Sequence, residues 1–331
     1  MVAAPGRQAH VWKGLLVQEI SHSRVKPVVR DRGQSHINRT LAASMFLLPA
    51  AVLFFTFVIF PIIQAAYLSL YKWNGLGPLD NFIEFRNFTN LFGDKVFGQA
   101  LLHNGLIIVL SITIQLPIAL GLALLVGRKL PGRAVFRTIF FLPYIISEAI
   151  TAVLWSFIFN PRFAASDMID LVLGFLPFYK PGPWLGDPHK VMLAIFLVLT
   201  WKYFGLHMIL FIAGLQGIPT EIEEASRIDG ANNLQTLWFV TIPMLSRTIF
   251  TSAYLSVLGS IQQFDLVWLM TEGGPVNASE VLTTYMYRHG FVSFKLGYGS
   301  TVAVVLFVIC LVFSLIYQGA FMRQEYAGLA E

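Results

Sequence analysis

Cysteine occurs once in 331 residues, at Cys310, which excludes an intramolecular disulfide and any multi-cysteine metal site. Charge is also scarce. Asp, Glu, Lys and Arg make up 12% of the chain, against roughly 25% in an average soluble domain. Residues 41–71, 96–127 and 296–322 contain none of the four. The sequence has no G-x-x-x-x-G-K-[ST] phosphate loop, no H-E-x-x-H helix and no G-x-S-x-G elbow. Binding of ATP by this chain, zinc hydrolysis and serine acyl transfer therefore lack a signature, and its seven histidines are too scattered for a metal site. The reading expects no catalytic residue, no metal ligand and no cofactor in this chain.

What the chain has is hydrophobic length, with 56% hydrophobic residues and a mean hydropathy of +0.67. Each uncharged run exceeds the roughly 20 residues a helix needs to cross about 30 Å of hydrocarbon. The fold class expected is an all-α polytopic membrane protein. Six spans are expected, near 41–71, 100–126, 136–159, 190–215, 246–268 and 297–321. Pro61, Pro117 and Pro143 fall inside apolar runs and predict kinks, because neighbouring helices can accommodate a missing donor.

The first forty residues hold seven Lys/Arg and two Asp/Glu, which equals the net +5 of the whole chain. Such an arm predicts a retained cytoplasmic side rather than a secretory signal or a nucleic-acid contact. With both termini inside, the inner segments carry fourteen Lys/Arg and the outer segments eight. The organisation expected is a basic arm over 1–40, a six-span membrane domain over 41–322 with a cytoplasmic loop at 216–245, and a cytoplasmic tail at 323–331. The three outer loops, near 72–99, 160–189 and 269–296, are rich in aromatics that either anchor at headgroups or dock a partner.

The loop reads PTEIEEASRIDGA over 219–231. Pro219 suits a first turn, and Glu221, Glu223 and Glu224 suit the positive end of a helix. Ile222, Ala225 and Ile228 repeat at apolar spacing, while Arg227 follows Glu223 by four residues. Gly230 supplies a bend, and a second helix is expected from Asn232 or Asn233. Pattern alone also allows an ordinary interfacial loop.

Glu224-Ala225-Ser226-Arg227-Ile228-Asp229-Gly230-Ala231, followed by Phe239 and Pro243, resembles the "EAA" loop of binding-protein-dependent ABC importer permeases, with Ser226 at the usual second alanine. Gly132-Arg133, Leu142-Pro143, Trp201-Lys202, Leu215-Gln216-Gly217-Ile218-Pro219 and Leu296-Gly297-Tyr298-Gly299 extend the resemblance over nearly the whole hydrophobic portion. The likeness favours the carbohydrate-uptake branch and its maltose-type first permease subunit. It implies the six-helix transmembrane domain of a type I importer in a prokaryotic cytoplasmic membrane, with a mono- or oligosaccharide substrate or, as the alternative, a phosphorylated polyol. The implied partners are a second permease subunit, two ATPase subunits or a homodimeric ATPase holding ATP and Mg, and an extracytoplasmic solute-binding protein. The implied coupling residues are Glu221, Glu223, Glu224, Ala225, Arg227, Asp229, Gly230, Ala231 and Pro243. Docking of the binding protein is expected at Thr271, Gly273, Gly274, Pro275 and Tyr287.

Glu148, Lys202 and His207 are polar groups inside expected spans. Isolated charges there are costly, so Glu148 and Lys202 are expected to pair with each other, face a wet pathway or contact a partner. The competing function is a channel or ion-coupled carrier working without an ATPase. A carrier calls for more ionisable groups at mid-membrane, and the polar loop favours the importer.

Overall fold

A computed structural model describes residues 32–127, 132–162, 171, 174 and 182–322. Most of the expected basic arm, the expected tail 323–331, and Arg128, Lys129 and Lys180 of the charge count lie outside the described residues. The chain divides into two units, Met1–Ile59 and Phe60–Glu331. In the first, the helix Arg32–Phe54 runs into a wide π turn at Phe55–Ile59 and exposes Phe46, Leu47 and Phe57. Side chains of this kind are at home against lipid.

The longer helices are α1 (Ala43–Leu68), α2 (Lys95–Gly127), α5 (Val191–Gln216) and α10 (Leu296–Ala320). Between them lie α3 (Arg133–Ile145), α4 (Glu148–Ile158), α6 (Thr220–Ile228), α7 (Ser246–Ile261), α8 (Asp265–Thr271) and α9 (Leu282–Tyr287). Among the described residues, only α1, α2, α5 and α10 are long and apolar enough to cross a membrane, and α3 with α4 makes a fifth if that bent pair is one span. The expectation of six spans, and of a six-helix domain, is thereby corrected to four, or five.

Two of the expected spans are interrupted, for different reasons. The apolar run 136–159 is broken at Ile146 and Ser147, both extended, and its halves are bent by 96°. The Ser147 hydroxyl accepts from the Ile150 amide at 3.3 Å and starts a new helix there. The run 246–268 is interrupted: α7 covers 16 residues, about 24 Å at helical rise, before the chain turns at Gln262 and α8 starts at Asp265.

Pro61 and Pro117 do not break their helices. Each sits two residues beyond a π turn, at Phe55–Ile59 and Ser111–Gln115, and Pro243 follows Leu237–Thr241 in the same way. A proline lacks an N–H and crowds the carbonyl four residues back, which here falls inside the widened turn.

Helix α5 is the buried axis of the second unit. Gly205 lets it approach α3 so closely that a Cβ would strike the Phe140 carbonyl. Near one end, Trp184, Val191 and Ile195 pack with Leu266 and Val267; further along, Met208 and Phe211 pack with Ala119, Ala123 and Leu245. A third cluster joins Leu91 and Phe97 to Leu282, Tyr285 and Val302.

Buried asparagines tie these layers through the backbone. Asn104 donates to the Ser260 carbonyl at 2.7 Å and accepts from the Leu282 amide at 2.9 Å. Asn87 donates to the carbonyls of Ser69 and Tyr71 at 2.8 and 3.0 Å.

Contacts fix which helix ends lie together. Gly127 meets Ile212 and Leu215, and Gly214 meets Leu245 and Thr248. Tyr317 donates to the Phe250 carbonyl, and Tyr254 and Ser314 hydroxyls are 3.1 Å apart. The C-terminal ends of α2, α5 and α10 thus share one end of the bundle with α6 and the start of α7. At the other end Tyr285 bonds Asp94 and Tyr298 at 2.8 and 2.9 Å, and Gly297 donates to the Trp73 carbonyl at 2.9 Å.

Asn104→Leu leaves the Ser260 carbonyl and the Leu282 amide without their partner inside a dry interior. We expect a loss of about 2–4 kcal/mol, read as a fall in the thermal midpoint of the purified protein. Thr113→Val, at an exposed hydroxyl bonded to the Val109 carbonyl, is expected to change stability by no more than about 0.5 kcal/mol.

Candidate functional site

The loop between α5 and α7 is a folded unit. Pro219 starts α6, and Glu221 and Glu223 occupy its first turn. The helix ends through amide bonds from Asp229 to Ala225, Gly230 to Arg227 and Ala231 to Ser226 at 3.0–3.1 Å, with Gly230 at φ +91°. A β-carbon is disfavoured at that dihedral. The next helix, Asn233–Thr236, is opened by a reciprocal cap: the Asn232 amide donates to Gln235 Oε1 at 2.8 Å, and the Gln235 amide to Asn232 Oδ1 at 2.9 Å.

The two helices are held side by side. Ser226 Oγ donates to the Glu223 carbonyl at 2.8 Å and lies 3.0 Å from Thr236 Oγ1. Thr241 Oγ1 donates to Glu223 Oε1 at 3.2 Å. Glu223 thus holds the loop together, whereas Glu221, Glu224, Ala225, Arg227, Asp229 and Pro243 are exposed and Ala231 is half-buried. The loop also presents Ile228, 86% exposed, with Leu234, Trp238 and Phe239. Sequence reasoning missed Thr236 and Thr241; a polar residue every five positions beside an apolar run was the available signal.

Inside the bundle, Lys202 and His207 are each 3% exposed. Lys202 Nζ donates to the Ile146 carbonyl at 2.5 Å, at the break between α3 and α4. Tyr203 donates its hydroxyl to the Glu148 carboxylate, at the first residue of α4. Glu148 is near enough to attract the ammonium, but each charge has its own hydrogen-bond partner. A cation therefore sits at a helix's C-terminal carbonyl and an anion at the next helix's N-terminus, the arrangement that helix dipoles favour. His207 Nδ1 is 2.6 Å from Ser252 Oγ.

A cavity of about 340 Å³ opens beside them, walled by Ser111, Gln115, Tyr144, Tyr203, His207, Ser256, Ser260 and Gln263 among others. The sequence reading named only His207 of these. Four of the others were legible as polar residues four apart on otherwise apolar helices, Ser111 with Gln115, and Ser256 with Ser260; Tyr144, Tyr203 and Gln263 carried no such signal.

At the opposite end of the bundle, the 271–288 segment is braced internally. Thr271 and Ser279 hydroxyls are 2.8 Å apart, and Ser279 Oγ donates to the Gly274 carbonyl at 2.6 Å. Glu280 is fully buried and pairs with Arg288 at 3.0 Å; Arg288 also donates to the Glu272 carbonyl. Burial pushes the Glu280 carboxyl above its ordinary range despite that cation. Gly273, at φ +78°, is buried against the Glu280–Arg288 pair, so it cannot itself be a contact surface. Thr271, Gly274, Pro275 and Tyr287 are half-buried, with Tyr287 packed against Phe264, Trp268 and Phe291. Burial opposes ionisation of Asp94, but hydrogen bonds from Tyr285 and the Val96 and Phe97 amides outweigh it and lower its pKa.

Residues 115–321 match a family described as "Binding-protein-dependent transport system inner membrane component". The chain is 37% identical over 273 residues to "Probable ABC transporter permease protein YurN" of Bacillus subtilis (strain 168), covering 82% of this chain and 92% of that one. It is 34% identical over 277 residues to "Lactose transport system permease protein LacF" of Rhizobium radiobacter, covering 82% and 90%. A crystal structure of a bacterial ABC transporter involved in the import of the acidic polysaccharide alginate contains a chain of the same fold, with TM-score 0.74 at 22% identity, covering 88% of this chain and 99% of that one.

Lys202→Met strands the Ile146 carbonyl and leaves Glu148 without its nearby cation. We expect about 2 kcal/mol lower stability of the purified protein in thermal unfolding. Adding Glu148→Gln is expected to cost less than the sum of the two single changes, and strict additivity would show the two charges to be uncoupled.

Proposed function

This chain belongs to the family of binding-protein-dependent transport system inner membrane components, and from that membership we propose a sugar as its cargo and the 220–243 loop as its link to an ATPase. It is a non-catalytic, multi-pass permease subunit of an ABC importer. In the proposed reading it supplies half of the translocation pathway, in the manner of the maltose-type first permease. The other half belongs to a second permease subunit. ATP and Mg are bound by two ATPase subunits or a homodimeric ATPase, and a solute-binding protein delivers the substrate outside.

The observation that carries the coupling role is the internal bracing of the loop. A helix whose neighbours are fixed by Ser226, Thr236, Glu223 and Asn232 moves as one piece, so displacement at Ile228 reaches α5 and α7 instead of dissipating. The exposed apolar side chains of Ile228, Trp238 and Phe239 beside Glu221, Glu224 and Arg227 suit a protein cleft. Arg133, Arg137, Arg227 and Arg247 gather at this end of the bundle, which supports a cytoplasmic orientation for it. The C-terminal end of α10 lies at the same end, beside Phe250, and is cytoplasmic in this reading, as is the N-terminus. The 271–287 segment then faces the binding protein through its half-buried residues and the exposed Val276, with Gly273 as a buried brace. A mono- or oligosaccharide is supported by the lactose system named for one relative and by the hydroxyl- and amide-lined cavity.

Gly230→Ile forces a β-branched residue into a left-handed turn at the end of α6. The variant is expected to insert in the membrane but to lose co-purification with the ATPase, or to show solute-stimulated ATP hydrolysis at least about tenfold below that of the unaltered complex. Unchanged values in both assays would remove the coupling role.

A further inference from the structure

At the end of the bundle opposite the 220–243 loop, a cavity of about 870 Å³ lies where long apolar helices stop or start. Its wall includes Lys72, four residues beyond the end of α1, Asp94, which precedes α2, and Lys295, which precedes α10. That is the depth of lipid headgroups, and Trp73 in the same wall suits it. Backbone bonds gather the cations. Lys72 stands between Tyr71, whose carbonyl accepts from Asn87 Nδ2 at 3.0 Å, and Trp73, whose carbonyl accepts from the Gly297 amide at 2.9 Å. Arg86 and Lys295 lie one and two residues from those donors and line the same cavity.

Among the described residues, none of Lys72, Arg86 and Lys295 makes an ion pair. Of the two carboxylates in the wall, Asp94 is held by Tyr285 and the Val96 amide, and Asp80 is exposed and bonds none of the cations. His289 also lines the wall. Its Nδ1 is buried without a hydrogen-bond partner, and burial together with Lys295 holds its ring below the ordinary pKa. Like charges gathered in this way are relieved by a bound anion. Beside this cavity lies a smaller one of about 230 Å³, and the two share Asn74, Leu76 and Phe294. The rest of the smaller wall is Gly75, Gly290, Phe291 and Leu296, with no charged side chain. Leu76, Phe291 and Phe294 are exposed, so apolar surface adjoins the cations directly. A ligand that fills both cavities is charged at one end and apolar at the other. A free phosphate or an acidic peptide would use the first and leave the second empty.

We propose that the joined cavities bind one anionic phospholipid of the adjoining leaflet, with Lys72, Arg86 and Lys295 around its phosphate and Leu76, Phe291 and Phe294 against its glycerol and first acyl carbons. Asn81 and Asn90, in the wall of the larger cavity, meet a hydroxylated headgroup. Basic pockets at the ends of membrane helices are suited to such headgroups. The lipid bridges the 72–94 segment to the start of α10 and supplies the negative charge that the wall lacks. The site is independent of the solute that the chain carries.

The test uses the importer complex in phosphatidylcholine nanodiscs that carry a trace of phosphatidylglycerol with a diazirine near the top of its acyl chain. After illumination, adducts on 72–94 and 289–298 are mapped by peptide mass spectrometry and normalised to adducts on the rest of this chain. Replacing part of the phosphatidylcholine by unlabelled phosphatidylglycerol is expected to suppress them, and the same share of phosphatidylethanolamine to leave them unchanged. Inorganic phosphate and glycerol 3-phosphate in the water are also expected to leave them unchanged. Lys72→Gln, Arg86→Gln and Lys295→Gln together are expected to lower the normalised yield at least about tenfold. Leu76→Asn with Phe294→Asn is expected to lower it about threefold, and asparagine suits the left-handed backbone at 294. Equal suppression by phosphatidylethanolamine, or an unchanged yield in either variant, overturns the proposal. Suppression by inorganic phosphate or glycerol 3-phosphate assigns the cations to a free phosphate and overturns the lipid. Lys72→Gln with Lys295→Gln, at two exposed positions, gives the same reading should the triple variant fail to assemble.

Discussion

A backbone carbonyl that loses its helical partner inside hydrocarbon has no water to turn to, and this structure is organised around meeting that demand. Its buried polar side chains are spent largely on carbonyls at breaks and ends. Lys202 serves Ile146, Asn104 serves Ser260, Asn87 serves Ser69 and Tyr71, and Thr283 serves Gln263. Each of these bonds crosses between elements distant in sequence, so satisfying a local deficit also fixes tertiary geometry. The outer segment follows the same logic, with Arg288 reaching the Glu272 carbonyl while it neutralises Glu280.

This economy separates the surfaces available for function from those that are not. Gly273 and Glu280 are consumed in bracing, whereas Ile228, Trp238 and Phe239 are left outside. In the interior, Ser111, Gln115, Ser256 and Gln263 face a cavity after the carbonyl deficits around them have been met. Charge is committed to architecture, and the cavity wall carries neutral polar groups beside apolar ones.

The helical class and the polar loop were legible because hydrophobic length and the 219–231 pattern are local properties of the chain. The number of crossings was not. Apolar composition over 136–159 gave no hint that Ser147 would cap a new helix, since that choice depends on Lys202 waiting at the carbonyl of Ile146, 56 residues away in sequence. Likewise 246–268 reads as one run, although its buried positions include Ser252, Ser256 and Ser260 and its first helix stops at Ile261. Of the relationships the sequence left open for Glu148 and Lys202, the structure shows two anchored charges on either side of a bend, each with its own hydrogen-bond partner. Distances along each helix could set their depth but not their partners.

The π turn at Ser111–Gln115 has a consequence for register. Buried positions along α2 include Ile107, Ser111, Gln115, Ala119 and Ala123, each four residues from the last. In an unbroken α-helix each such step advances the buried face by about 40°, so the last position would point roughly 160° away from the first. A widened turn absorbs about one residue's rotation and brings most of that drift back. The bulge that accommodates Pro117 therefore lets one helix keep a single face toward α5 and the cavity along its length. Removing the proline would make an ordinary helix possible, and an ordinary helix would turn Ala119 and Ala123 off the surface they now pack against.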